Sequence, residues 1–435
     1  MTGPAVGDVS AADDPAVSTS SGPAVHQVLA TLGYGDAIGH EVLGIQKVLR
    51  AAGYRSDIFV ETADSRLEDL TRDYRELIDE ATPDTVLIHH FSIGSRASRV
   101  AYALPGRMIL VYHNITPPVY FAGIHPLLVE LCYLGRRELG AYASRCALAL
   151  GDSEFNRQEL VELGFPRTDV LPVVPSFAHL DVVPDRTMAH AFDDGWTNLL
   201  FVGRVIPNKK IENVIRHFHA YKTRHNVRSR LLLVGSSGGF ERYFAMLQKL
   251  IADLGAHDVH FLGHVSDAEL AAYYEVADLF LCASEHEGFC VPLMEAFHVG
   301  LPVVAYAATA IPATMDGGGV LYTDTDPAHV AAIVDAVVSD PDLEAQIIDN
   351  QDAALARLLA RDFAGLVCGF VERVRAMPPQ PAPPIAFDFW DRFAYTQQLE
   401  ELHQYRPGAY GALPRRVDSA PIDAAHEGQT APAAP

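Results

Sequence analysis

Residues 278–300 read DLFLCASEHEGFCVPLMEAFHVG, in which an apolar run leads through a short polar loop into an amphipathic stretch. The run has no polar alternation, which is typical of a parallel strand covered on both faces. Pro292 suits the first position of a helix, where its missing N–H is not needed. The stretch therefore predicts a strand, a loop and a helix whose N-terminal N–H groups are open to an anion.

The same order of apolar run and amphipathic stretch recurs along the chain. The predicted strands are HQVLATL, SDIFVE, TVLIHHF, RMILVYH, ALALG and DVLPVV in the first half, and TNLLFVGR, RLLLVGS, VHFLGH, DLFLCAS, PVVAYA and GVLYT in the second. Repeated strand-then-helix order is typical of doubly wound parallel sheets. The length of 435 residues suits two domains of similar size. We therefore expect an α/β fold of two facing Rossmann-like domains with a cleft between them.

Composition shifts predict where the domains and tails lie. A polar, loop-like segment at about 177–196 separates the two sets of strands, and a Pro-rich run, 378–384, follows the second set. The predicted parts are a disordered tail at 1–24, a first domain at 25–185, a second domain at 196–378, a helix at 386–405 with spacing suited to packing back on the first domain, and a disordered tail at 407–435.

The overall charge and the cysteines restrict the class of partner and compartment. A formal net charge of −22 argues against nucleic acid, because phosphate-backbone binding needs a surplus of Lys and Arg. No run has transmembrane length, and the N-terminus lacks a signal-peptide pattern. No strongly basic amphipathic helix is evident, so at most loose membrane association is expected. The cysteines form no CxxC pair, which predicts reduced thiols in a cytoplasmic protein.

Two acidic residues flank the loop of the opening stretch. Glu287 lies at the strand exit and Glu295 in the predicted helix, so both are expected to face one cleft. A carboxylate beside an anion site is suited to hydroxyl groups, such as those of a ribose and a sugar. Incidental surface glutamates are the alternative interpretation.

A glycine and two cations follow the first strand of the second half. Gly203 allows close backbone approach to a ligand, and Arg204 and Lys209 lie five residues apart on the turn that follows. An Arg fork and a Lys point charge are suited to gripping a diphosphate. Two solvated surface cations are the alternative.

Together these motifs resemble the large retaining GT-B glycosyltransferase family known as family 4, or group 1. The resemblance is clearest from Asn198 to about Thr323 and extends more weakly back to His26. The family's Glu-x7-Glu motif corresponds to Glu287 and Glu295, and its Gly-Arg-x4-Lys motif to Gly203, Arg204 and Lys209. The resemblance implies an enzyme that takes a hexose from a UDP- or GDP-linked donor and passes it to a hydroxyl of a saccharide or small molecule.

The resemblance also implies a role for each motif residue. Arg204 and Lys209 would bind the donor diphosphate, and Glu295 the ribose hydroxyls. The transferred sugar would be held by Glu287 and the loop Gly288, Phe289, Cys290 and Val291, while His264 and Val265 would form the turn that reads the base. Many members have Gly-Leu where this chain has Cys290 and Val291, and we expect the cysteine only to tighten the sugar pocket. Ala313 stands where the family often has Glu.

The first domain is expected to supply the opposite wall of the cleft. A glycine-rich turn after the first strand contains Gly35 and Asp36, which would face the donor, with Asp36 also near the acceptor. His113, at the end of a strand, is the candidate for positioning the sugar and stabilising charge. A His satisfied by a backbone carbonyl is the alternative there. His89 and His90 are weaker candidates.

Further along, Ser153 and Asn156 are acceptor-side candidates, with helix capping as the alternative.

The expected chemistry is front-face substitution, because no nucleophile for double displacement is evident. Arg204, Lys209, His113 and Glu287 are the candidate catalytic residues. No metal or other cofactor is expected, since Asp324-Thr325-Asp326 precedes Pro327 and a helical run and reads as an N-cap.

Three other functions stay open. They are a nucleotide-sugar hydrolase or epimerase of the same fold, a nicotinamide oxidoreductase without a recognisable fingerprint, and a non-catalytic nucleotide-sugar binding protein. The sequence carries no signal for an oligomeric state.

Overall fold

The computed structural model describes residues 22–33, residue 35 and residues 37–379. The strands are β1 (Val25–Leu32), β2 (Ile58–Ala63), β3 (Thr71–Asp73), β4 (Val86–Phe91), β5 (Arg107–Tyr112), β6 (Leu148–Gly151), β7 (Thr168–Val170), β8 (Thr197–Val202), β9 (Ser229–Val234), β10 (Val259–Gly263), β11 (Leu279–Cys282), β12 (Val303–Tyr306) and β13 (Val320–Tyr322).

The helices alternate with the strands along most of the chain. They are α1 (Ala37–Ala51), α2 (Leu77–Glu80), α3 (Arg96–Ala103), α4 (Pro126–Ala141), α5 (Glu154–Glu162), α6 (Arg186–Phe192), α7 (Ile211–Arg224), α8 (Glu241–Leu254), α9 (Asp267–Val276), α10 (Val291–His298), α11 (Ile311–Met315), α12 (Pro327–Ser339), α13 (Pro341–Leu359) and α14 (Phe363–Arg375). None of these described helices is both long enough and apolar enough to cross a bilayer.

Two parallel sheets form the framework. The first has seven strands in the order β3-β2-β1-β4-β5-β6-β7, and the second has six in the order β10-β9-β8-β11-β12-β13. The central strands β4, β5 and β9 are buried along their whole length, as the apolar runs within them predict. The expected pair of Rossmann-like domains is confirmed.

The first sheet has one strand more than the sequence predicts. β3 is a three-residue edge strand that pairs with β2 through Thr71, Arg72 and Asp73. These side chains are half-buried and polar, so the segment lacks the apolar run by which the other strands were recognised. The predicted strand 169–174 pairs only through its first residues, in β7.

The end of the described chain requires a correction to the predicted second domain, 196–378. Helix α14 packs on the first sheet, where Val367, Phe370 and Val374 join Ile45 and Ile109 in one apolar cluster. The prediction assigned this helix to the domain whose strands precede it. Its apolar face instead covers β4 and β5, so the second domain ends near residue 362. The predicted helix 386–405, tail 407–435 and residues 1–21 of the first tail lie outside the described residues.

The connection between the domains is more ordered than its polar sequence suggests. Residues 177–196 were predicted as a loop, but they include α6, which packs on α9. Asp185 caps α6 by accepting from the N–H groups of Thr187 and Met188. The Phe177 ring stacks on His298 at 4.2 Å, so this connection is fastened to the second domain.

The two domains touch where the carboxyl ends of their strands face each other. His286 Nε2 lies 2.7 Å from Asn114 Oδ1, across the interdomain cleft. Lys210 Nζ lies 5.7 Å from the centre of the Tyr120 ring, and the rings of Phe121 and Phe240 are 5.9 Å apart. These contacts close one side of a cleft lined by the loops after β5, β8 and β11.

Candidate active site

The loops after β8 and β11 meet at the point where the strand order of the second sheet reverses. Ligands of open α/β sheets collect at such a point. Asn208 Nδ2 donates to the His286 carbonyl at 3.0 Å, and the Glu285 N–H donates to the Asn208 carbonyl at 2.9 Å. The two loops are therefore joined, which brings the two sequence motifs together.

Lys209 and Glu287, one from each motif, form a direct ion pair. Burial opposes the charge on Lys209, but the neighbouring Glu287 carboxylate prevails and raises the pKa of Lys209 to about 12. The Glu287 N–H donates to Thr309 Oγ1 at 2.9 Å, which fixes the backbone at the loop entrance. This pair supplies a held cation and a carboxylate at the floor of the cleft.

Arg204, the other predicted cation, lies in different surroundings. Its side chain is exposed, and the guanidinium carbon lies 5.5 Å from the centre of the Phe240 ring. Gly203 has a φ of 148°, and Gly235 packs so closely that a Cβ there would lie 1.9 Å from the Gly203 carbonyl oxygen. The tight pairing of these two glycines sets the path of the chain that carries Arg204.

Glu295 lies in α10 and uses both carboxylate oxygens. His179 Nε2 lies 3.0 Å from Oε1, and the Tyr274 hydroxyl donates to Oε2 at 2.9 Å. The hydrogen bond to Glu295 raises the pKa of His179. Neither His179 nor Tyr274 was singled out in the sequence, because both lie far from Glu295 along the chain and outside any motif.

The loop between the two glutamates has a special backbone. Cys290 has a φ of 79°, in the left-handed region that favours glycine, and it is the N-cap residue of α10. The cysteine was expected only to tighten a pocket; it also holds a strained conformation directly before the helix. A Cβ at Gly288 would lie 2.8 Å from Asn114 Cβ, so this position has no room for a side chain while the domains touch.

The predicted base-reading turn follows β10. Gly263 has a φ of 72° and its carbonyl accepts from the Gly235 N–H at 2.8 Å. His264 is exposed and Val265 is half-buried against the second-domain core. The turn is thereby tied to the Gly203 loop through Gly235.

In the first domain, Gly35 has a φ of 72° and stands before α1, while Asp36 lies outside the described residues. His113 follows β5 and is 8% exposed. Its Nδ1 lies 3.1 Å from Asp152 Oδ2 and its Nε2 lies 2.9 Å from His90 Nδ1. Both ring nitrogens thus face polar groups of the first domain, which supports a positioning role more than direct contact with a sugar.

The acceptor-side candidates Ser153 and Asn156 both make hydrogen bonds to neighbouring parts of the first domain. Ser153 is the N-cap of α5, where its hydroxyl accepts from the Asn156 N–H at 3.3 Å. Asn156 is fully buried; its Nδ2 donates to the Tyr112 carbonyl at 3.4 Å and its Oδ1 accepts from Asn114 at 3.2 Å. Asn156 therefore orients Asn114, the residue that reaches His286.

The remaining candidates lie at a helix start and in the core. Asp326 occupies the N-cap position of α12 without a side-chain capping hydrogen bond, and its N–H donates to Asp324 Oδ1 at 2.9 Å. His89 and His90 are buried in the first sheet, where burial lowers the pKa of His89 to about 4. Burial and the neighbouring Asp152 raise the pKa of Glu41, a residue of α1 close to His113, to about 8.

Two parallel-sheet domains facing across such a cleft define the GT-B class of glycosyltransferase architecture. HepE of Anabaena, solved in complex with UDP and glucose, is similar over 82% of this chain and 100% of its own, with a TM-score of 0.63 and 16% identity. Sucrose-phosphate synthase from Thermosynechococcus elongatus is similar over 81% of this chain and 98% of its own, with a TM-score of 0.61 and 16% identity. At 16% identity these similarities show a shared fold alone.

Residues 188–353 match the profile of the family described as glycosyl transferases group 1. The D-inositol 3-phosphate glycosyltransferase of Frankia alni is 33% identical over 220 residues, which cover 48% of this chain and 53% of that protein. The O-antigen chain mannosyltransferase B of Escherichia coli is 27% identical over 195 residues, 43% of this chain and 49% of that protein. The chain thus spans about half the length of these relatives.

Proposed function

We propose that this protein is a retaining glycosyltransferase that transfers a hexose from a UDP- or GDP-linked donor to a hydroxyl of a saccharide or small molecule. The observation that carries the proposal is the meeting of Lys209 and Glu287, from separate motifs, at the reversal point of the second sheet. Relatives named as glycosyltransferases and mannosyltransferases support the reaction class.

The donor would lie across the loops after β8 and β11. Arg204 offers an exposed guanidinium for bidentate contact with the diphosphate, and Lys209 adds a positive charge at the cleft floor. The N-terminus of α10, which has no side-chain cap, lies beside them and adds its positive dipole end. Glu295 would accept from ribose hydroxyls with lone pairs left by His179 and Tyr274.

The reaction would proceed on one face of the sugar. The leaving diphosphate oxygen takes the proton of the incoming hydroxyl as that hydroxyl attacks the anomeric carbon. Arg204, Lys209 and the helix end stabilise the charge that develops on the diphosphate. Glu287 would hold the sugar and keep Lys209 in place. The proposal includes no divalent ion at the diphosphate, because Arg204 and Lys209 would supply the positive charge there.

Thermal unfolding with nucleotides tests the donor site. Full-length protein is melted with UDP, GDP, ADP or dTDP in EDTA, each beside Arg204→Ala and the control Arg216→Ala, an exposed arginine of α7. A diphosphate at about a hundred times its dissociation constant adds roughly 2.7 kcal/mol to the unfolding free energy. We expect UDP or GDP to raise the melting temperature of wild type and Arg216→Ala, and Arg204→Ala to lose the shift. No shift with any diphosphate would refute the donor proposal.

Product analysis separates transfer from the alternatives. With the stabilising nucleotide's sugar donor and a panel of hydroxyl acceptors, we expect a new glycoside whose anomeric configuration, read by NMR, equals that of the donor. Release of free sugar with every acceptor would instead favour the hydrolase. Binding without any turnover would favour the non-catalytic binding protein.

A further inference from the structure

Glu295 is held by two side chains from segments outside the motif to which it belongs. The Tyr274 hydroxyl, from α9, donates to Glu295 Oε2 at 2.9 Å. His179, from the connection between the domains, places its Nε2 3.0 Å from Glu295 Oε1. Because an ionised carboxylate only accepts hydrogen bonds, this His179 nitrogen must donate. Each oxygen of Glu295 thus has one donor, and each donor comes from a different segment.

The chemistry of both partners keeps them in the donor role. Tyr274 is buried, and its burial together with the nearby Glu295 charge raises its pKa, so the hydroxyl keeps its proton. The hydrogen bond to Glu295 raises the pKa of His179 as well, which favours the protonated imidazole. The carboxylate is therefore held by one neutral donor and by one donor that also balances its charge.

The backbone that carries His179 is fastened to α10 independently. The Phe177 ring stacks on the His298 ring at 4.2 Å, and His298 Nε2 lies 2.9 Å from Asp181 Oδ1. His298 and Glu295 both belong to α10. Residues on either side of His179 thus contact the helix that carries Glu295, and these contacts set the position of the imidazole relative to the carboxylate.

The arrangement leaves a defined set of lone pairs on Glu295. A carboxylate offers about four acceptor positions, two on each oxygen. Among the described residues, Tyr274 and His179 take one position on each oxygen, so one position per oxygen is left for a ligand. The side chains of Glu295 and His179 are 10% and 24% exposed, so the group is not sealed off from solvent. Two acceptors on adjacent oxygens suit two hydroxyls on adjacent carbons, as in a ribose.

We propose that His179 and Tyr274 are positioning residues that aim Glu295 at both hydroxyls of a ribose, so that the enzyme selects a ribonucleotide donor over its 2′-deoxy analogue. The inference rests on the proposed function and narrows its donor, since sugars linked to dTDP would bind poorly. A ligand without the 2′-hydroxyl leaves one acceptor of a largely buried carboxylate without a partner. Loss of a hydrogen bond to a charged group corresponds to about 10–100-fold in affinity.

A purely structural role for the same contacts is the competing interpretation, and the chain offers a matched control for it. His298 also joins α10 to the connection, but through Asp181 rather than through Glu295. His298→Gln therefore weakens the same fastening and should leave the choice between ribose and deoxyribose unchanged. His179→Gln keeps a donor nitrogen close to the position of Nε2, whereas His179→Leu removes it.

Calorimetric titration of the full-length protein measures the selection directly. The dissociation constants of UDP and 2′-deoxy-UDP are compared, or those of the two GDP counterparts if GDP is the nucleotide that stabilises wild type. The ratio of the two constants cancels what the base and the diphosphate contribute. We expect wild type and His298→Gln to prefer the ribonucleotide by about 10–100-fold. Tyr274→Phe and His179→Leu should reduce the preference to about threefold or less, and His179→Gln should retain most of it.

The possible outcomes separate this inference from the proposed function. Circular dichroism identifies the folded variants, and the wild-type ratio needs no variant at all. Equal binding of the two nucleotides by wild type, or an unchanged ratio in folded Tyr274→Phe and His179→Leu, would overturn the inference and leave the donor site intact. Wild type that binds neither UDP nor GDP would overturn the inference together with the proposed function.

Discussion

The two motif cations, Arg204 and Lys209, differ in how they are held before any ligand arrives. Lys209 is already neutralised by Glu287 in a buried pair, so its removal would leave a buried carboxylate without a partner. Arg204 is exposed beside Phe240 and free of any such constraint on stability. Substitution of Arg204 should therefore affect ligand and turnover with little effect on folding.

We predict that Arg204→Ala lowers kcat/KM by about 10²–10³-fold, the size reported for one preorganised charge contact. The free energy of unfolding, measured by urea titration, should stay within about 0.5 kcal/mol of the wild-type value, because the Arg204 side chain is exposed. Initial rates with the donor identified by thermal unfolding check this, with Arg216→Ala as control. Unchanged kcat/KM in Arg204→Ala would remove Arg204 from the diphosphate site.

A second residue-scale prediction concerns pH. The hydrogen bond to Glu295 raises the pKa of His179 above its ordinary value near 6.5. Protonated His179 then stabilises the folded protein. Its contribution to the free energy of unfolding is complete below the pKa of the unfolded state and is lost as the pH rises through the pKa of the folded state. Urea unfolding should thus show wild type more stable than His179→Gln at about pH 6, with the difference shrinking by about pH 9. A difference independent of pH would mean that His179 is held without its charge.

At the scale of single elements, the strands with unbroken apolar sequences were predictable. All the central strands of both sheets follow from such runs, because burial on both faces demands them. The edge strand β3 was not predictable, since its polar residues carry no such apolar pattern. The pairing of Glu295 with His179 and Tyr274 was not predictable either, because it depends on how distant segments pack.

Gly235 is a similar case, since its importance comes from a neighbouring loop. A Cβ at this position would meet the Gly203 carbonyl oxygen at 1.9 Å, and its φ of 142° is rarely adopted by other residues. We predict that Gly235→Ala costs about 1–3 kcal/mol of stability and weakens the nucleotide diphosphate shift, because the Arg204 loop must move. Gly238→Ala, three residues further along the chain and outside the left-handed region, should do neither. Thermal unfolding with and without nucleotide measures both effects.

At the scale of the whole molecule, a hydrogen bond between the His286 and Asn114 side chains helps to join the two domains across the cleft. His286 precedes Glu287 and reaches Asn114 of the first domain, which Asn156 orients. We predict that Asn114→Ala favours a more open molecule with a larger radius of gyration, measured by small-angle X-ray scattering, and raises KM for the donor. Asn213→Ala, on the surface of α7, is the control. An unchanged radius and KM would show that closure does not depend on this hydrogen bond.

The return of α14 to the first domain yields a stability prediction. Phe370 is buried against the first sheet, in a cluster that includes Ile45 and Ile109. Phe370→Ala should cost about 3–5 kcal/mol, and the loss should fall on the unfolding of the first domain. In Phe370→Ala, urea unfolding followed by hydrogen exchange should show faster exchange in β4 and β5 than in β8 and β9. Faster exchange confined to the second sheet would contradict this packing.

Because α14 closes the first sheet, the second domain is in effect an insertion within the first. The chain leaves the first domain once near residue 177 and re-enters it near residue 362. The intervening block can therefore be exchanged in protein engineering as an inserted domain with two junctions. A chimaera that exchanges this block must rebuild both junctions. A single junction in the middle of the chain would instead combine α14 with a first sheet from the other protein. The loops of the proposed donor site all lie within this block, so such an exchange would move that site as a whole.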